Sequence, residues 1–255
     1  MFHRIINSKF KWQLTSLHNN IRDRFTGTHP RTRIIHPQYL VNENLRILVE
    51  RNIHLNFRLD ETQHILDVGC GSKPYQYILP KISWFGIDVC DGPKVDLVID
   101  STNNWNISND EFDAVLCTEV LEHAVDPGFV LDEIYRVMKP GAVALITTPF
   151  IYGIHGSPND YRRYTHYGLI NECGAFEIVD SGLLGGIGSS TVISINNWIC
   201  ICLSKSLLAS LCFMPILFIH CLVFNLMGRG FDRLDKTGNF GTNSWVLLRK
   251  HQLIV

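Results

Sequence analysis

Paired cysteines, a leader-like apolar start and an excess of charge of either sign are all missing from these 255 residues. The eight cysteines include no Cys-x-x-Cys pair, which removes the commonest zinc and dithiol spacings. Cys200, Cys202, His220 and Cys221 come nearest to a metal cluster, but they fall in an uncharged apolar stretch where burial is the expected role. The opening MFHRIINSKFKWQLTSLHNN has no apolar core and is broken by charges, so it is not expected to act as a secretory signal, and the thiols are expected to be reduced. Charged residues make up 18% and the formal net charge is -1, which excludes a disordered polyelectrolyte and a broadly basic nucleic-acid binder. The length supports one domain with a full core and a modest embellishment.

What charge there is lies unevenly. Residues 1–59 hold ten Lys/Arg against three Asp/Glu, residues 60–180 seven against nineteen, and residues 181–255 six against two. Near-neutrality is therefore a cancellation, and a basic start and end around an acidic middle suit one face to an anionic surface or substrate. Residues 1–59 read as a basic, helical extension in which PQYLVNENLRILVERNIHLNF places Leu45, Leu48 and Val49 at helical spacing.

Residues 60–255 form the expected domain. From His64 the pattern changes to short, continuously apolar runs: HILDV, SWFGIDV, VDLVI, FDAVLC and GAVALITT. Runs without alternation need both faces covered, which predicts a parallel sheet inside an α/β sandwich. DPGFVLDEIYRVMKPG supplies a helix capped by Asp126, with a core stripe through Leu131, Ile134, Val137 and Met138 and a stop at Lys139–Pro140–Gly141. A short helix over 165–173, a sixth strand FEIVD and a last strand NSWVLLRK complete the set.

HILDVGCGSKPY sets Asp67, Gly69 and Gly71 directly after a strand, where the chain must turn tightly and a ligand can approach the backbone. Asp88 follows at the tip of the next strand, where a carboxylate can accept both ribose hydroxyls of a nucleoside-type cofactor. Pro74 stands where a dinucleotide fold would have a third small residue, which disfavours a dehydrogenase, and the Tyr135/Lys139 pair before the fifth strand is read as accidental.

Taken in order and spacing, ILDVGCG, FGIDV, FDAVLCTEVLEH and EIYRVMKPGAVALITTP resemble the class I S-adenosylmethionine-dependent methyltransferases, of the type 11-like kind. The resemblance runs from about Glu61 to Asp180 and resumes in the last strand. It implies a Rossmann-like α/β sandwich with a seven-stranded, mostly parallel sheet whose last strand is antiparallel. It also implies S-adenosyl-L-methionine as cofactor and S-adenosyl-L-homocysteine as product. By that pattern Asp67, Gly69 and Gly71 line the methionine and ribose side, Asp88 clasps the ribose, and Asp100 with Ser101 and Thr102 approaches the adenine. Thr118 and Glu119 lie beside the cofactor, with Glu122 and His123 close behind. Methyl transfer to a heteroatom is an in-line displacement needing orientation and, for a hydroxyl, removal of a proton, so no metal is expected. Nucleic-acid methylation is set aside: FDAVLC is followed by TEV rather than an Asp/Asn-Pro-Pro turn, no Pro-Cys dipeptide exists, and the core is acidic.

The acceptor is expected between CTEVLEHAVD and PFIYGIHGSPNDYRRYTHYG, the loops after the fourth and fifth strands. His155 is the first choice for general base and His123, on the opposing loop, the second; Asp160 could orient His155 or act alone. Tyr152, Tyr161, Arg162 and Arg163 are the candidate substrate contacts, the arginines for a carboxylate or phosphate. Loops of this His-x-x-Pro-x-Asp-Tyr form resemble those of methyltransferases of surface-polysaccharide and lipid-linked glycan synthesis.

About sixty residues separate the last two strands. From Ser181 to Gly228 the only ionisable groups besides thiols are Lys205 and His220, and Leu207–Leu226 is a charge-free run of twenty, long enough to cross a bilayer. Because both flanking strands belong to one sheet, a single crossing is excluded, and Pro215 favours a bent or re-entrant pair. The insertion, 181–242, is open to three readings: membrane contact through 181–228, a homodimer interface, or a lid. Arg229, Arg233 and Lys236 would suit anionic headgroups.

The leading expectation is a methyltransferase acting at oxygen on a small-molecule, glycan or lipid-linked acceptor, cytoplasmic and near the cytoplasmic face of a membrane. The alternatives are the same catalyst on a soluble metabolite or quinone precursor with the insertion as lid, and a non-catalytic cofactor-binding or interaction module.

Overall fold

The computed structural model describes residues 31–57, 60, 62–204 and 207–252, so the most basic part of the N-terminal extension, residues 1–30, lies outside the described residues. The strands are β1 (His64–Val68), β2 (Ser83–Asp88), β3 (Leu97–Val98), β4 (Phe112–Thr118), β5 (Met138–Pro149), β6 (Glu177–Leu184) and β7 (Asn243–Arg249). The helices are α1 (Tyr39–Asn56), α2 (Pro127–Val137), α3 (His166–Glu172), α4 (Ile187–Ser204) and α5 (Leu207–Leu234). One seven-stranded sheet has the order β3-β2-β1-β4-β5-β7-β6. β7 is antiparallel to both neighbours, and the other ladders are parallel.

The continuous apolar runs are explained by the pleat, which sends successive side chains to opposite covered faces. Leu66, Val115 and Ile146 face one side, where they meet Ile134 and Val137 of α2. Their neighbours Ile65, Leu116 and Leu145 face the other side and meet Leu48, Val49 and Ile53 of α1. α1, which the sequence placed in the N-terminal extension, thus closes one face of the sheet.

Three boundaries differ from the sequence expectation. α2 starts as expected, with Asp126 Oδ1 accepting from the Phe129 amide at 3.0 Å, but it ends at Val137, and Met138 already belongs to β5. Pro140 explains this, since it cannot continue a helix and pushes Lys139 into extended geometry. The same shift takes Lys139 off the helix face of Tyr135 and onto Asp113, at 2.8 Å. β6 runs on to Leu184, so the first four residues assigned to the insertion are strand. The third strand is short, Leu97–Val98.

The rest of the insertion is a hairpin of α4 against α5. Ser189 lies against Asp232, Asn196 against Asn225 and Cys200 against Cys221, so the helices are antiparallel. They touch at Gly188, where an added Cβ would sit 2.1 Å from the Gly228 carbonyl oxygen. Pro215 lies inside α5, which continues through it. Among the described residues no helix is long and apolar enough to cross a membrane.

Ile134 is fully buried between α2 and the sheet. Ile134→Ala should cost about 2–5 kcal/mol in equilibrium urea unfolding; a loss under about 1 kcal/mol would mean that α2 does not close this core.

Candidate active site

β1, β2 and β4 end side by side, and the turns that leave them form a cleft with two compartments. The first, about 340 Å³, is lined by Asp67, Gly71, Thr118, Tyr152 and His155, with Val41 and Leu45 of α1 as a wall. The second, about 550 Å³, is lined by Asp88, Val89, Ser101, Trp105 and Tyr161. Gly69, Glu119 and His123 line both.

Gly69 has φ +64, and a Cβ there would meet Val120 Cγ2 at 2.4 Å, so conformation and space both require glycine. Asp88 accepts from the Gly71 amide at 3.0 Å and the Cys90 amide at 3.0 Å, which ties the glycine turn to the tip of β2. Asp67 is buried and its Oδ2 has no hydrogen-bond partner. Burial pushes its carboxyl up to about 7, opposed by Lys73 and reinforced by Asp88. A buried carboxylate oxygen without a donor, beside a backbone opened by glycine, fits a ligand that brings a cationic or N–H group.

Glu119 sits at φ +56, an uncommon backbone for a residue with a side chain. It is held there by Thr147 Oγ1, donating to Oε1 at 2.7 Å, and Asn243 Nδ2, donating to Oε2 at 2.8 Å. Burial and the neighbouring Glu122 raise its carboxyl above the ordinary range. Glu122 is wholly buried and neither of its carboxylate oxygens has a hydrogen-bond partner. His123 Nε2 and His155 Nε2 each lie 3.6 Å from Glu122 Oε1, and the two imidazoles meet edge to face with centroids 4.8 Å apart. For His155, burial works against the charged form, but Glu122 and Asp160 outweigh it and hold the pKa above the ordinary value.

The loop after β5 is braced mainly by its own polar groups. Asp160 accepts from the His155 amide at 2.8 Å and from both terminal nitrogens of Arg163, which holds its carboxyl down at about 2. Asp160 therefore orients His155, and a proton-accepting role of its own does not suit so acidic a group. Arg163 places every guanidinium N–H on a protein acceptor: Asp160 and the Tyr152, Gly153 and Arg162 carbonyls. Arg162 bridges to the Ala124 and Val125 carbonyls at 2.5 and 3.0 Å. Arg162 ties the two opposing loops together and Arg163 braces its own loop, so both guanidiniums, expected to meet an anionic substrate, are engaged within the protein. Tyr152 donates its hydroxyl to Gln38, and Tyr161 donates to Asn159 Oδ1 at 3.0 Å while its ring borders the second compartment. Asp100 is not brought in: it is exposed, lines neither compartment, and accepts from the Thr102 amide, the Thr102 hydroxyl and Asn103 within its own turn.

A methyltransferase-domain family model matches residues 41–177, more than half of the chain. The chain belongs to the methyltransferase-domain family. The methyltransferase takes S-adenosylmethionine as cofactor, and Asp67, Gly69, Gly71 and Asp88 are the residues that would hold it.

A ubiquinone biosynthesis O-methyltransferase from Psychrobacter cryohalolentis is 35% identical over 51 residues, 20% of this methyltransferase; the match spans only 18% of that relative's length. Among solved structures, the [4+2]-cyclase SpnF superposes with a TM-score of 0.53 at 19% identity, covering 83% of this chain and 81% of that one. Phosphoethanolamine N-methyltransferase 2 of Haemonchus contortus, in complex with S-adenosyl-L-methionine, gives 0.50 at 16% identity, covering 83% and 53%. These likenesses establish the fold alone, and a cyclase among them shows that the fold does not fix the reaction.

The walls from α1 and the contact of Glu122 with both histidines were not legible in the sequence, because each depends on packing between distant segments. The adjacent Glu122–His123 pair on one loop and His155 on the next was the available signal.

The Asp67 carboxyl gives a pH prediction. Below about pH 7 the free protein keeps Asp67 protonated, and a cationic cofactor must expel that proton in order to bind. S-Adenosylmethionine affinity, measured calorimetrically, should weaken as pH falls from 8 to 6, by up to about tenfold per unit below the pKa. Asp67→Asn should flatten the profile; an unchanged slope would remove Asp67 from the cofactor's contacts.

Proposed function

We propose that the protein is an O-methyltransferase whose acceptor is a glycan or lipid-linked molecule presented at a membrane face. The observation that carries this reading is the apolar outer face of the helical hairpin. The outer face of α5 exposes Phe213, Ile216, Ile219, Val223 and Leu226, spaced at three or four residues, with Phe231 further on, and α4 adds Trp198 and Ile201. The inner face is mixed: Cys200, Leu217 and Cys221 pack together, while His220 Nε2 meets Asn196 Oδ1 at 3.1 Å and Asn225 Nδ2 donates to the Ile34 carbonyl at 2.6 Å. A helix pair surrounded by water turns its apolar side inward. This pair leaves a row of large apolar side chains on its outside as well, which suits an apolar exterior, and Arg233 and Lys236 follow at its end for anionic headgroups.

The bound cofactor supplies an electrophilic methyl on a sulfonium, which becomes a neutral thioether on transfer. The chain's own part is to orient the acceptor and withdraw its proton. A hydroxyl acceptor in the first compartment meets the Glu122–His123–His155 cluster, with Asp160 positioning His155 from behind. A second reading, a quinone precursor in free solution with the hairpin as lid, has the Psychrobacter relative in its favour over the short stretch it covers.

Incubation with S-adenosylmethionine labelled in its methyl, plus a membrane lipid extract, should place label in the organic phase. His155→Ala should lower turnover by about 10²–10⁴-fold while leaving cofactor affinity nearly unchanged. Label only in the aqueous phase would sink the lipid-linked acceptor, and cofactor binding without transfer to any fraction would favour a non-catalytic module. The full chain should float with anionic liposomes, and the double variant Ile216→Asp/Ile219→Asp should not. Monodisperse wild-type protein that stays at the bottom would favour the lid, and a stable dimer would assign the face to a second copy.

A further inference from the structure

We infer that Glu122, His123 and His155 form a binding site for one divalent transition-metal cation, of which zinc is the simplest, on the acceptor side of the cleft. The inference rests on the O-methyltransferase reading only for what the cation would do, and on geometry alone for its presence. One ligand atom from each residue falls within 4.8 Å of the others. Glu122 Oε1 is 3.6 Å from each Nε2, against about 3.3 Å between neighbouring ligand atoms in a tetrahedral zinc site.

The burial of Glu122 makes the arrangement more than a chance cluster. Its side chain is wholly removed from water, and both carboxylate oxygens lack a hydrogen-bond partner. Such a group is costly unless something cationic faces it. No lysine or arginine does so among the described residues: the nearest, Arg163, is held by Asp160 and three backbone carbonyls.

Each imidazole is also held from behind through its Nδ1, with Nε2 toward Glu122. His123 Nδ1 is 2.5 Å from the Asn159 carbonyl oxygen, which fixes the proton there and leaves Nε2 free. His155 Nδ1 lies 3.4 Å from the Gly153 carbonyl, 3.5 Å from Asp160 Oδ2 and 3.4 Å from Arg163 Nη2, and its Nε2 faces Glu122 at 3.6 Å. Metal-binding histidines are oriented by such outer carbonyl and carboxylate partners. Two imidazoles and one carboxylate favour zinc, iron, cobalt or manganese over magnesium or calcium, and they leave coordination positions open.

His123 and His155 line the first compartment, so those positions face the acceptor. There the cation would take an acceptor hydroxyl as ligand and lower its pKa, so that the O–H proton leaves to water. The oxygen's electron pair then forms the O–CH3 bond as the S–CH3 bond breaks toward sulfur. A cation in this place selects a hydroxyl, or two adjacent hydroxyls, over an amine that needs no such activation.

The test uses the full chain after chelator treatment, without cofactor or acceptor. Titration with Co2+ followed by absorption, and with Zn2+ followed calorimetrically, should show one equivalent bound. Glu122→Gln and His155→Ala should each weaken it by at least about 100-fold, whereas Cys90→Ser, at an exposed thiol, should not. Glu122→Gln relieves the buried charge, so its metal-free melting temperature should equal or exceed that of the wild type while the zinc-induced rise disappears. Absence of binding, or binding indifferent to both variants, would overturn the site. One bound equivalent without methyl transfer to any acceptor would keep the site and sink the functional reading; full-rate transfer by chelated protein that binds no cation would do the reverse.

Discussion

Carboxylates withheld from water at the carboxyl ends of β1 and β4 are the constraint on which the rest of the molecule depends. Asp67 and Glu122 are buried with oxygens that have no donor, and burial raises Glu119 beside them. A protein that only needed a stable sheet would gain by replacing such groups with apolar ones, because an unpaired buried carboxylate costs several kcal/mol. The surroundings hold them in place: Gly69 admits no side chain, and Thr147 and Asn243 clamp Glu119 in a strained backbone. Such a cleft suits positive charge, which the cofactor would bring at Asp67, while Glu122 faces the two imidazoles.

The insertion is coupled to this cleft by a chain of polar contacts. Asn197 of α4 accepts from Gln38 at 2.7 Å, Gln38 accepts from the Tyr152 hydroxyl, and the Tyr152 ring meets His155 edge to face with centroids 5.2 Å apart. Asn196 and Asn225 hold the backbone of Ile34, His36 and Pro37 just ahead of α1. The hairpin, the segment before α1 and the loop after β5 therefore form one continuous wall. Movement of the hairpin at a surface would be felt at Tyr152.

Much of this was legible in the sequence because it rests on local rules. Unalternating apolar runs gave the buried parallel sheet, Asp126 marked the start of α2, and the glycine turn and Asp88, read as one pair, are joined in the structure by the Gly71 amide. Contacts between distant segments were not legible. Arg162 and Arg163 look like free cations in the sequence, and only the fold shows their donors taken by the opposing loop and by Asp160. Asp100 looks like a ligand group until its turn closes on Thr102 and Asn103. The apolar outer face of α5 was hidden as well, since a run without charges says nothing about which side of the helix faces out.

The central claim is that the cleft binds S-adenosylmethionine along the ends of β1, β2 and β4, with the reacting sulfur toward His123 and His155. The most direct measurement is a crystal structure of the protein with S-adenosylhomocysteine. The account predicts the ribose hydroxyls on Asp88, the amino group near Asp67 and the sulfur facing the first compartment. A ligand whose ribose lies away from Asp88, or whose sulfur points away from the two histidines, would contradict it.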